Sequence, residues 1–102
     1  MRGGGDQGQA VKVKFYATLR QIVGGKTVEV EFLEGMTLRQ LFQGLTARFP
    51  RLNAELFDET GNLYGHVHLF VNGRDVTFLP DKMDTRLKQA DEVSIFPAVG
   101  GG

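Results

Sequence analysis

The residues best placed to do chemistry are the last three, Gly100-Gly101-Gly102, which follow Val99 and end in a carboxylate. Glycine has no Cβ, so an arm of this composition enters a slot that admits backbone and little else. The chemistry this points to happens at the chain's own end, inside the active site of another protein. The competing reading is a frayed terminus with no role, since chain ends are often poorly ordered. A second candidate is the pair His66 and His68, at i and i+2 of a strand-like run. Two imidazoles without a third ligand are weak evidence for a metal, so they read as surface histidines and no metal site is expected. No dinucleotide or phosphate-loop glycine pattern, GxSxG elbow or HExxH helix occurs. Gly24-Gly25 reads as a turn.

The whole-chain numbers narrow the classes. At 102 residues the chain is one domain, long enough to bury a core without staples. It has no cysteine, which removes thiolate nucleophiles, iron–sulfur ligation and redox pairs together. Lys plus Arg equals Asp plus Glu, twelve of each. The basic residues, from Lys12 and Lys14 to Arg86 and Lys88, form no block, so no nucleic-acid partner is expected. Residues 1–9 carry no apolar core of a secretory signal and read as a flexible leader. No apolar run reaches the ~20 residues of a membrane span, and a cytoplasmic protein is the expectation.

The elements that must position the arm are legible as periodicities. Val11, Val13, Phe15 and Ala17 alternate with polar residues, as do Val28, Val30 and Phe32, giving two half-buried strands of a hairpin turning at Gly24-Gly25. Lys12 and Lys14 would face Glu29 and Glu31 across it. Thr37 and Gln40 form a capping-box pattern, with Met36 stapling to Leu41, ahead of the helical stripe Leu38, Leu41, Phe42, Leu45 and Phe49. Pro50 closes that helix. Leu52, Leu56 and Phe57 allow a short helical turn, and 58–62 is a loop. His66–Val71 is a strand, Asn72-Gly73 a hairpin turn, Arg74–Val76 a short partner strand, and Glu92–Phe96 the final strand. Thr85-Arg86-Leu87 would pin a crossing loop. Hairpin, helix, strand, short strand, strand is an α+β order with a mixed sheet of four to five strands and one main helix on one face, the order of the β-grasp or ubiquitin-like fold. Residues 10–97 form the domain, and 98–102 are read as a flexible tail.

Over residues 10–102 the chain resembles the ubiquitin-like sulfur carriers of MoaD and ThiS type. That group takes in the small subunit of molybdopterin synthase, the cysteine-synthesis carrier and the small archaeal modifiers. The likeness runs through Lys12-Val13-Lys14-Phe15-Tyr16-Ala17-Thr18-Leu19-Arg20, Phe49-Pro50 and Val71-Asn72-Gly73. It is most specific in Asp91-Glu92-Val93-Ser94-Ile95-Phe96-Pro97-Ala98-Val99-Gly100-Gly101-Gly102, which is similar to the ending DGDEV-x-I-x-PPVAGG. Ala98 replaces the second proline, Gly100 a small Ala or Ser, and Gln89-Ala90 a turn glycine. These departures blur which pathway is served.

The resemblance implies a non-enzymatic carrier, itself the substrate of an ATP-dependent adenylyltransferase of the ubiquitin-activating type. A carboxylate is a poor electrophile, and an acyl-adenylate gives it AMP as leaving group. Sulfur transfer would then leave a thiocarboxylate on Gly102, with Gly101 beside it, for an acceptor such as the molybdopterin synthase large subunit. No cofactor would be bound, the ATP being the partner's. Pro97 would aim the arm, while Val99 either docks or folds back on the core. With the last strand lying between the first and third, Tyr16, His68, Phe70 and Phe96 would form an outward aromatic docking patch, continued by Pro97, Val99 and Gly100. Two alternatives remain: a modifier joined through Gly102 to lysines of target proteins, and an interaction or RNA-binding module with an inert tail.

Overall fold

Val11, Val13 and Phe15 all point inward from β1 (Ala10–Phe15) and are wholly buried, so the alternation in the sequence is the alternation of the strand. The computed structural model describes residues 10–97. The leader and the expected tail, residues 98–102, lie outside them. After β1 come α1 (Leu19–Val23), β2 (Thr27–Glu31), α2 (Leu38–Arg48), α3 (Pro50–Leu56), β3 (His68–Val71), β4 (Arg74–Asp75) and β5 (Glu92–Phe96). The sheet order is β2-β1-β5-β3-β4, with β1 and β5 parallel and the other neighbours antiparallel. This is the β-grasp arrangement expected from the element order, with three helices rather than one.

The first extra helix is α1. The strand stops at Phe15, and Ala17, expected on its inward face, is exposed with φ 55, where the chain reverses. One helical turn follows, held by buried Leu19 and closed at Gly24, whose φ of +80 suits a residue without Cβ. Its apolar spacing, Leu19, Ile22 and Val23, is too short to register as a helical period. The second, α3, lengthens the turn expected from Leu52 and Leu56. Pro50 both ends α2 and occupies the first turn of α3, where its missing N–H costs nothing.

The main helix α2 starts from a complete capping box: Gln40 N–H donates to Thr37 Oγ1 at 3.2 Å and Thr37 N–H to Gln40 Oε1 at 3.0 Å. Such a cap contributes about 1 kcal/mol. Leu38, Leu41, Phe42 and Leu45 meet the inner sheet face in one core. Met36 is buried there too, and its sulfur accepts the Leu33 N–H at 3.3 Å. The crossing loop is pinned as the sequence indicated, since Leu38 N–H donates to Thr85 O and Leu87 N–H to Met36 O, both at 2.9 Å. Arg39 Nε adds an ion pair with Asp84 at 2.9 Å.

The far hairpin fixes the last strand. Asn72 and Gly73 both take positive φ, 52 and 84, as the tight hairpin turn demands. β4 is only two residues long, because Asp75 Oδ1 accepts the Thr77 N–H and curls Val76–Phe78 into a 3-10 turn. The Asn72 amide donates to Asp91 Oδ1 and accepts from Glu92 N–H, each at 2.9 Å, locking the turn to the start of β5. β3 begins at His68, so His66 lies outside the strand and stacks on Tyr64 at 5.0 Å. Lys12 sits opposite Glu29 as expected, whereas the ion pair formed is Lys14 with Glu92, across β1–β5 at 3.0 Å. No described helix is long and apolar enough to cross a membrane.

Candidate functional site

Because β5 lies between β1 and β3, outward side chains of all three strands meet on the face away from α2. Register sets His68 opposite Phe96 and Phe70 opposite Ser94, with Tyr16 just past the end of β1. The Tyr16 and Phe96 rings stack with centroids 4.1 Å apart and planes 11° from parallel, and Phe70 meets Phe96 edge-on at 5.6 Å. Each such pair is worth about 0.5–1.5 kcal/mol beyond burial, which holds the rings as a rigid surface. Tyr16, Ala17, His68, Phe70, Phe96 and Pro97 line an open, almost wholly apolar hollow of about 430 Å³. Half-buried aromatics in one contiguous patch are what a partner surface looks like.

Five of the residues singled out in the sequence, Tyr16, His68, Phe70, Phe96 and Pro97, thus converge here. Val99, Gly100, Gly101 and Gly102 lie outside the described residues. Two contributors escaped the sequence reading. Ala17 lines the hollow through its left-handed backbone. Arg20 lays its guanidinium over the Tyr16 ring, Cζ 5.3 Å from the centroid, with Nε donating to Phe15 O at 2.9 Å. The only advance signal for Arg20 was its place in the Leu19-Arg20 pair of the family resemblance.

Charge around the hollow is ordered. Across from Phe70, Asp75 is held below the usual carboxylate range, chiefly by the Thr77 N–H and then its hydroxyl, with a smaller pull from His68. Lys14 is pushed up by its hydrogen bond to Glu92. Among the described residues no group of three or more His, Cys, Asp or Glu is arranged to hold a metal.

The sheet order, with an aromatic face beside the end of its last strand, is that of a ubiquitin-like β-grasp protein. The ThiS family model matches residues 13–102, and the chain belongs to that family. It is 35% identical over 92 residues to small archaeal modifier protein 3 of Haloferax volcanii, covering 90% of this chain and 98% of that protein. Among solved structures it resembles the Amycolatopsis orientalis BexX/CysO complex, with TM-score 0.76, 32% identity and coverage of 91% of this chain and 100% of the matched one. It also resembles a putative molybdopterin converting factor subunit 1 of Pyrococcus furiosus, with TM-score 0.70, 35% identity and coverage of 88% and 98%.

Proposed function

We propose that this protein is a sulfur carrier, and that its reactive group is the carboxylate of Gly102. The observation that carries this is the family match, which spans residues 13–102 and so takes in Gly102. In the first step the carboxylate oxygen attacks the α-phosphorus of ATP on an activating enzyme and expels pyrophosphate. In the second, hydrosulfide delivered at that enzyme attacks the acyl carbon; the bond from that carbon to AMP breaks, AMP departs with the oxygen, and loss of the S–H proton to water leaves a thiocarboxylate. Two moderate steps replace one difficult one. The protein supplies no catalytic side chain to either. It presents the tail, and the Tyr16–Phe96–Phe70 face provides the docking energy that holds the tail in register.

The destination of the sulfur is assigned here to a biosynthetic acceptor in the cytoplasm, molybdopterin synthesis first and cysteine synthesis next. Support for these comes from the likeness to a molybdopterin converting factor subunit and to CysO. A second reading, conjugation through Gly102 to target lysines, is favoured by the likeness to small archaeal modifier protein 3. Intact-mass measurement of the protein made in its own host separates them. Replacement of one oxygen by sulfur at Gly102 supports the carrier, and a remnant of residues 89–102 on lysines of other proteins after tryptic digestion, which cuts last at Lys88, supports the modifier. Full activity after deletion of Gly101 and Gly102 would defeat both.

A further inference from the structure

Basic residues scattered along the sequence gather in space beside the aromatic hollow. Lys14, Arg20 and Lys26, with Phe15, Tyr16 and Thr27, line a second hollow of about 250 Å³ that shares Tyr16 with the first. The backbone of Phe15 draws Arg20 and Lys26 together. Its N–H donates to Lys26 O at 2.8 Å, and its carbonyl accepts from Arg20 Nε at 2.9 Å. Lys14 is spent on Glu92, while neither Arg20 nor Lys26 joins an ion pair among the described residues. A protein of zero formal net charge therefore carries a local positive pocket against its aromatic face.

Arg20 also ends the ring stack. Its guanidinium lies on Tyr16, which lies on Phe96, so a protein that covers those rings covers the cation as well. Desolvating a guanidinium without a counter-charge is costly. With Nε committed to Phe15 O, the two Nη groups are the ends that can grip a carboxylate in the two-point manner arginine favours. We propose that this pocket receives an Asp or Glu side chain of the docking enzyme, set beside an apolar residue that enters the aromatic hollow. The inference rests on the reading of that face as the carrier's docking surface and adds the chemistry of the partner.

The test is carrier-dependent ATP–pyrophosphate exchange by the activating enzyme of the same organism, comparing wild type with Lys26→Glu and Arg20→Gln. Lys26 is exposed, so Lys26→Glu keeps the fold even if loss of the Arg20 hydrogen bond does not. The expected result is a KM for the carrier raised about tenfold with kcat unchanged. Wild-type KM should also climb between about 50 and about 500 mM salt, more steeply than that of Lys26→Glu. A Lys26→Glu KM within about twofold of wild type at low salt overturns the inference while leaving the carrier reading intact. Inorganic phosphate that shifts the Arg20 and Lys26 amide resonances without competing with the enzyme would make this a free-phosphate pocket, and also overturns it. Absence of exchange with wild type defeats the carrier reading itself.

Discussion

The two faces of one sheet are built from the same strands and put to opposite uses. On the inner face Val11, Val13, Phe15, Leu69, Val93 and Ile95 are at most 1% exposed and pack under α2. On the outer face the residues between and just beyond them, Lys14, Ser94, Phe96, Phe70 and Tyr16, stay half-exposed. The inner face is aliphatic and closes on itself. The outer one ends in stacked, half-exposed rings. A period of two lets a single strand such as β5 contribute Val93 and Ile95 to the core and Phe96 to the proposed docking face, with little interference between the two.

That separation is open to direct attack. The largest effect belongs to the inner face: Phe15→Ala should cost about 3–5 kcal/mol in chemical denaturation, since the vacated ring volume cannot be refilled. Phe96→Ala should cost only about 1–3 kcal/mol, the worth of its two ring contacts, yet weaken binding to the activating enzyme by tenfold or more, as truncation of an aromatic anchor does. Calorimetric titration alongside thermal melts reads both numbers on one preparation. If Phe96→Ala loses stability like Phe15→Ala, or binds like wild type, the division of labour between faces is wrong.

What the sequence revealed and what it hid divide along locality. The capping box of Thr37 and Gln40, the Asn72-Gly73 turn and the alternation of β1 are decided by neighbours in the chain, so they were legible. The aromatic cluster was legible once β5 was placed between β1 and β3, because register then puts Phe96 opposite His68. The short helix α1 was not, because a single turn has too few residues to show a period and is stabilised by tertiary burial of Leu19. With α1 went Arg20 and Lys26. Their meeting depends on the reversal at Ala17 and on the N–H and carbonyl of Phe15, features that no pattern of residue types announces.

A change belonging to neither face sharpens the comparison further. Ala90 holds φ 72 in the turn before β5, where the resemblance expects glycine. An alanine in this conformation costs roughly 1 kcal/mol. Ala90→Gly relieves that strain but frees the unfolded chain, so a net gain of about 0.5 kcal/mol is expected. Partner affinity should not move. A weaker complex in this variant, seen by the same titration, would mean that the turn adjusts the aim of β5 and that stability and docking are coupled through it.

The smallest effect concerns acid. Asp84 is held below the ordinary carboxylate range by the hydrogen bond and charge of Arg39, and Asp58 by the Thr60 hydroxyl first and then the Asn62 N–H. A carboxyl whose folded pKa is depressed adds stability that is complete above its unfolded value of about 3.9, and that drains away as pH falls through the folded value. Both groups lie outside the aromatic face, and Asp84 braces α2 through the crossing loop. Melting temperature should therefore be flat from neutrality down to about pH 5 and fall below about pH 4. Asp84→Ala should start slightly lower at neutrality and lose less on acidification, because it has already given up that contribution. An Asp84→Ala acid limb as steep as that of wild type would show that the Arg39 pair is solvated away, leaving α2 anchored by its buried face, the capping box and the Thr85–Leu87 backbone bonds.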